Sequence, residues 1–297
     1  MSSFRLPEII PDPWPAVEIL DIGAMPEGRP RFQGLIDLGL ASVNGFEPQA
    51  GQRAKLSAAA GWKRVFPYVL GDGSPATFHV TRYPGCSSLL EPDPAVIDLF
   101  SYIGAGSPDG NFYVVRRETV ETHRLDDIDG CPGADYVKID VQGGELLVLS
   151  NGVEKLSEAV VIECEVEFVP LYKNQPLFSD IQAFLRQQGF WFHKFLDIAG
   201  RTYRPVTLPN MAETISQGLW ADAIFIRDIS CLGNISETQL LKMALILYEV
   251  YASFDLVLHL LIEYDRRSGE KRENIYAEAL RAGGGLRPLY MNLKTHT

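Results

Sequence analysis

Val17-Glu18-Ile19-Leu20-Asp21-Ile22-Gly23-Ala24 and Val137-Lys138-Ile139-Asp140-Val141-Gln142-Gly143-Gly144-Glu145 decide the fold of this chain. Each reads as a buried strand that ends in a carboxylate and breaks at once into a glycine turn. Open parallel sheets present polar groups in this way, at the carboxyl ends of their strands, where they bind ligands. Phe46-Glu47-Pro48 adds a third acid at the end of the intervening strand.

Outward from these segments, strands and helices alternate. Strands are expected at Val17–Ala24, Ser42–Glu47, Val65–Leu70, Thr77–Tyr83, Phe112–Glu121, Tyr136–Val141, Val160–Phe168, Phe190–Phe195 and Ala221–Arg227. Helices are expected at Arg31–Gly39, Gln49–Gly61, Glu145–Leu156 and Leu177–Gly189, two of them closed by glycine. This alternation implies right-handed crossovers and a mostly parallel α/β sheet. The final pair of strands, with little helix between them, is expected to form an antiparallel hairpin at one edge. The chain divides into a proline-rich arm (1–16), a main domain (17–228) and a helical extension (229–297). In the extension a helix begins at Ser236-Glu237-Thr238 and runs to about Arg266, with a second at Arg272–Arg281 and the glycine run Gly283-Gly284-Gly285 after it.

The bulk properties exclude several classes. The 297 residues include 46% hydrophobic and 22% charged side chains, with a net charge of -11, so nucleic acid and anionic membranes are not attracted broadly. The basic cluster Arg266, Arg267, Lys271 and Arg272 reads as a solvated helix end. Glu249 and Asp255 interrupt the one apolar window long enough to span a membrane, for which ~20 mostly apolar residues are needed. The wide apolar face of that helix packs on the main domain or on a partner; a homodimer through Leu241–Leu261 is one expectation. Four scattered cysteines without Cys-x-x-Cys spacing, and prolines where a leader's apolar run would lie, point to a reducing cytoplasm.

The chemistry lies at the strand ends. A dinucleotide fingerprint needs three glycines to bring backbone against a pyrophosphate; the first turn keeps only Gly23 and Gly28, with Pro26 and Pro30 among and after them. A phosphate-free adenosine cofactor fits better, so S-adenosylmethionine is favoured over NAD. Asp21, Gly23 and Ala24 form its first turn, and Glu47 accepts the ribose hydroxyls. Asp72, in Gly71-Asp72-Gly73, is a candidate for the adenine amino group, although such a tripeptide is commonly only a turn. Ser88, in the glycine-led loop, is a further candidate contact, and Gln142 lies in the turn beside Asp140.

Asp140 is the strongest candidate for chemistry, since a buried charge at a strand end needs a partner. Lys138 is read as pointing to the opposite strand face, and Glu145 as favouring the dipole of the helix it opens. Glu163, Glu165 and Glu167 share one face of their strand, either lining the cleft or forming the solvated side of an edge strand. His193, within Phe190-Trp191-Phe192-His193, is a third candidate base after Asp140 and Glu165.

Together Leu20-Asp21-Ile22-Gly23-Ala24, Gly45-Phe46-Glu47-Pro48, Arg124-Leu125-Asp126, Lys138-Ile139-Asp140-Val141-Gln142-Gly143 with Glu145, and the stretch Glu165–Tyr172 resemble the FkbM-type S-adenosylmethionine-dependent methyltransferases. The resemblance covers roughly Val17 to Asp228, and Lys-Ile-Asp-Val-Gln-Gly is its specific part. It implies a class I methyltransferase Rossmann-like fold, with seven strands and the last antiparallel. It also implies O-methylation of a hydroxyl on a sugar, glycolipid or polyketide-like small molecule. The first turn departs from the family's Gly-Ala-Asn-x-Gly, reading Gly23-Ala24-Met25-Pro26-Glu27-Gly28 here. No metal is required; a divalent ion between Asp140 and Glu165 is the variant to test. An NAD-dependent oxidoreductase and a non-catalytic cofactor-binding or dimerisation protein are the competing readings.

Overall fold

The computed structural model describes residues 5–25, 28–211 and 213–283. Pro26 and Glu27 of the first turn, the first four residues of the arm, and Gly284 and Gly285 lie outside the described residues.

Ten strands alternate with helices: β1 (Val17–Ile22), β2 (Ala41–Phe46), β3 (Trp62–Phe66), β4 (Val69–Leu70), β5 (Pro75–Thr81), β6 (Val114–His123), β7 (Tyr136–Ile139), β8 (Val161–Glu167), β9 (Phe190–Gly200) and β10 (Gly218–Arg227). The helices of four residues or more are α1 (Leu6–Ile9), α2 (Gln33–Asp37), α3 (Ala50–Ser57), α4 (Pro94–Ile97), α5 (Glu145–Ser150), α6 (Phe178–Gln187), α7 (Glu237–Glu249), α8 (Phe254–Ser268) and α9 (Arg272–Gly283).

Seven strands form the main sheet in the order β3-β2-β1-β7-β8-β10-β9. β1, β7 and β8 run parallel to one another and β2 runs parallel to β3, whereas β10 pairs antiparallel with β8 and with β9. The expected edge hairpin is therefore present, with β10 inserted between β8 and β9. Leu20, Ile22, Val137, Ile139, Ile162, Cys164, Val166 and Phe225 from this sheet join one apolar core with Val148, Leu149, Ile181 and Leu185 of α5 and α6. That burial on a strand face and a helix stripe is the dominant favourable term.

The expected third strand, Val65–Leu70, is two strands. β3 ends at Phe66 as a main-sheet edge, and β4 crosses into a separate three-stranded sheet, β4-β6-β5. Pro67, which cannot donate to a ladder, stands in the break.

Two compact units are formed. One comprises Val17–Gly28 and Ser42–Ser230; the other gathers Met1–Ala16, Arg29–Ala41 and Cys231–Thr297. In the second unit Glu249 is nearly sealed from solvent. It takes hydrogen bonds from Arg5 Nη1 at 2.8 Å and from the Leu6 backbone N–H at 2.7 Å, anchoring α1. The single long helix expected from Ser236 to Arg266 is broken: α7 and α8 pack against each other across a connection where Ala252 has φ +51°. A straight helix could not bury both apolar faces in this way. Leu240, Leu241, Met243, Leu245, Leu260 and Leu261 are all buried. The basic cluster is not simply solvated, because Arg272 is buried between the rings of Trp14 and Tyr264, 5.3 Å from each centroid. Among the described residues no helix is long and apolar enough to cross a membrane.

Candidate active site

The turns after β1 and β7 meet. The Asp140 N–H donates to the Ile22 carbonyl at 3.0 Å. A Cβ at Gly23 would lie 1.8 Å from the Asp140 carbonyl oxygen, and Gly23 has φ +79°. Only glycine fits on both counts. The next residue, Ala24, donates its N–H to Phe46 O at 3.2 Å, tying the turn to the end of β2.

Glu47 follows there, buried, with its N–H on Phe66 O at 3.0 Å and its Oε1 accepting from Gln49 N–H at 2.6 Å. Burial raises its pKa, while the Gln49 amide and Arg53 work the other way. Asp21 is 5% exposed, and its Oδ1 has no hydrogen-bond partner among the described residues. Burial pushes its pKa up to about 6 against the opposing charge of Lys138.

Lys138 corrects the sequence reading. Residues two apart on a strand share a face, so Lys138 points the same way as Asp140. Its Nζ stands 3.8 Å from Asp21 Oδ1 and 3.8 Å from Asp140 Oδ2.

The acids of β7 and β8 converge on Gln142, a residue with φ +59° that is followed by Gly143 at +94°. Gln142 Nε2 donates to Asp140 Oδ1 at 2.8 Å and to Glu165 Oε2 at 2.7 Å. Its Oε1 accepts from the Tyr172 hydroxyl at 3.3 Å, and its backbone carbonyl from Ser88 Oγ at 2.6 Å. One amide thus holds two carboxylates face to face; the Tyr172 hydroxyl, shared with Cys86 O at 2.9 Å, faces that amide, and Ser88 holds the backbone carbonyl of Gln142. Glu145 is buried beneath the same turn, its Oε1 accepting from Val141 N–H at 2.8 Å and Gly143 N–H at 3.1 Å. It shapes the turn as well as opening α5. Burial raises its pKa to about 7, although those backbone amides oppose the rise.

Glu163, Glu165 and Glu167 do not form a solvated edge. β8 is central, and Glu163 and Glu167 are 1% and 3% exposed. Tyr136 donates its hydroxyl to Glu163 Oε2 at 2.9 Å. Burial raises Glu165 well above the carboxylate range, with Asp140 and Glu167 pushing the same way. Glu167 is raised likewise by burial, Glu145 and Asp140, opposed by Gln175. Among the described residues, Asp140, Glu145 and Glu165 each bring one oxygen within 4.8 Å of the others, a spacing a divalent ion can use. The Gln142 amide already bridges two of them.

Of the remaining sequence candidates, Asp72 and His193 stand on other elements, and Ser88 joins the centre. Asp72 is exposed in the turn between β4 and β5 of the small sheet, with its Oδ1 accepting from Ser74 N–H at 2.9 Å; it is not at a main-sheet strand end. His193 is half-buried on the edge strand β9, at the bulge opposite Ile224 and Phe225. Two strand spacings separate β9 from β8, roughly 10 Å. Ser88 is buried, and its hydroxyl is committed to Gln142 and to the Leu90 N–H at 2.9 Å, so it braces the turn. Sequence reasoning missed Lys138 as a site residue, which its even spacing to Asp140 could have shown, and left Tyr172 within the Glu165–Tyr172 stretch without a role of its own.

A parallel sheet whose central strand ends carry buried acids around a glycine turn defines a Rossmann-like cofactor-binding enzyme. Residues 31–192, more than half of the chain and inside the Val17–Asp228 stretch, match the Methyltransferase FkbM domain. The chain belongs to this family of S-adenosylmethionine-dependent methyltransferases. Among solved structures it is similar to the magnesium protoporphyrin IX methyltransferase of Synechocystis PCC 6803 with bound SAM, at 14% identity over 72% of this chain and 71% of that one, TM-score 0.32. A putative methyltransferase from Thermoplasma acidophilum is similar at 10% identity over 77% of each chain, TM-score 0.33. No curated protein matches. The family assignment rests on the FkbM match and the fold on the strand order.

Proposed function

We propose that this chain methylates a hydroxyl on a small acceptor of the sugar, glycolipid or polyketide kind, using S-adenosylmethionine. The observation that carries the reading is the pair of carboxylates, Asp140 and Glu165, bridged by one Gln142 amide at the carboxyl ends of β7 and β8.

The residues fit the cofactor. Asp21 offers a buried oxygen with no hydrogen-bond partner among the described residues, Gly23 leaves no side chain in the turn, and Glu47 presents a buried carboxylate one strand over. Asp21, Gly23, Ala24, Glu47 and Gln142 would hold it. When bound, S-adenosylmethionine supplies an electrophilic methyl group on a sulfonium.

An alcohol proton must leave as the new bond forms, and a positioned base typically contributes ~10²–10⁴-fold. Asp140 is the first such base or orienter. Glu165, whose pKa burial raises, stands across the amide. Gln142 fixes both carboxylates, so the acceptor oxygen meets a preformed pair; such orientation can contribute ~7–11 kcal/mol of the barrier. His193, on β9, is not needed for this step. An acid-rich wall favours a cationic ligand and releases it once the charge is gone.

The test is isothermal titration of the purified chain with S-adenosylhomocysteine, alongside Glu47→Ala. Binding that the substitution weakens by ~1–3 kcal/mol, the cost of stranding hydrogen-bonding groups, supports the reading. No heat and no thermal shift from a folded chain removes it. Binding without transfer to any hydroxylated acceptor would favour the non-catalytic alternative.

A further inference from the structure

Three neighbouring strands carry one row of charge. The register pairs Asp21 with Lys138 between β1 and β7, and Lys138 with Glu163 between β7 and β8. Cross-strand partners share a sheet face, and Asp140, two residues beyond Lys138, shares it as well. One ammonium group therefore stands midway between a carboxylate at the end of β1 and another at the end of β7, 3.8 Å from each. Glu163 lies on its far side, held by the Tyr136 hydroxyl. Asp222 on β10 is the cross-strand partner of Glu165. Lys194 on β9 pairs with Ile224, the residue opposite Glu163, and so lies further out along the sheet.

We infer that Lys138 is a positioning residue that couples the cofactor-side carboxylate of Asp21 to the reactive carboxylate of Asp140. The inference rests on reading this site as the methyl-transfer site. Both carboxylates compete for one cation, so a change of charge at one end alters the hold on the other. Replacing the cation would leave Asp21 buried without an opposite charge, which favours its neutral form. Even with Lys138 present, burial holds Asp21 at about 6. Burial also works against the charge of Lys138, but Asp21, Asp140, Glu163 and Asp222 together outweigh it and raise its pKa. The lysine therefore stays charged across the pH range in which Asp21 titrates.

The experiment follows the ¹³C carboxyl signal of Asp21 with pH in the ligand-free chain, assigned with Asp21→Asn, beside S-adenosylhomocysteine affinity over the same range. The wild-type inflection is expected near about 6, with affinity falling as Asp21 takes its proton. Lys138→Met is expected to raise that inflection by roughly one unit or more, tenfold in proton affinity, and to move the fall in binding by the same amount. Lys138→Arg restores both. An unchanged inflection in a folded Lys138→Met chain overturns the coupling. Should that variant fail to fold, Glu163→Gln removes a like charge and must lower the Asp21 inflection; no change there overturns the inference equally. If S-adenosylhomocysteine binds at no pH, the cofactor reading fails, while the ligand-free titration still decides the coupling.

Discussion

Two turns in this chain look alike in sequence and differ in every property that matters for chemistry. Gly71-Asp72-Gly73 and Asp140-Val141-Gln142-Gly143 each place an aspartate and a glycine in the turn after a strand. Asp72 is exposed and satisfied by a backbone N–H of its own turn. Asp140 faces a half-buried lysine and a bridging amide, with a second carboxylate across it. The difference lies in the strand that precedes each turn. β4 belongs to a short sheet apart from the main one, whereas β7 is central among parallel strands whose carboxyl ends converge. An acidic turn becomes a site when its neighbours' strand ends bring partners to it.

Breaking the turns themselves gives the largest contrast. Gly23→Ala drives a methyl group into the Asp140 carbonyl at a left-handed backbone position, so several kcal/mol of stability should be lost. Gly73→Ala also has a left-handed φ, +90°, but its nearest contact is 3.5 Å from Arg124, and ~1–2 kcal/mol is expected. Thermal melting of the two variants side by side checks this; equal losses would mean the β1–β7 junction is not tight.

Chemistry separates the turns next. Asp140→Asn should lower methyl transfer ~10²–10⁴-fold with a much smaller change in S-adenosylhomocysteine affinity, measured with radiolabelled cofactor on a set of hydroxylated acceptors. A loss confined to cofactor affinity would move Asp140 from base to binding residue.

The pH dependence of stability sharpens the comparison further. Glu145 has a folded pKa raised to about 7 from an ordinary 4.5, chiefly by burial. A raised carboxyl pKa means the folded chain holds the proton more tightly, so this contribution is complete below about 4.5 and is lost as pH rises through about 7. Stability should fall across that window by an amount on the order of a few kcal/mol. Glu145→Gln, which keeps an acceptor for the Val141 and Gly143 amides, should flatten the slope in denaturant melts taken from pH 5 to 8. The smallest effect belongs to Asp72→Asn, with stability within ~0.5 kcal/mol of wild type and cofactor binding unchanged; a clear loss of binding would return Asp72 to the site.

Much of the sheet was legible because its signals are local. Apolar runs ending in an acid and a glycine located β1 and β7, and period-two alternation put Glu163, Glu165 and Glu167 on one face. The same alternation applied to Lys138 and Asp140 puts them together, as the structure does. The break between β3 and β4 and the bend between α7 and α8 were not legible, since each is set by which distant surface the segment can bury. Propensity is a weak guide when tertiary burial decides.

The sequence by itself determined the α/β class, the acids at the strand ends and the glycine at the first turn, because these follow from side-chain periodicity and from the one residue type that tolerates such a backbone. Tertiary structure decided which acids meet. Strand order sets one ammonium between Asp21 and Asp140 and one amide between Asp140 and Glu165, while Asp72 follows a strand of the small sheet and His193 lies on an edge strand. Those partnerships join residues 23 apart, for Gln142 and Glu165, and more than a hundred apart, for Asp21 and Lys138, and no local pattern encodes such distances.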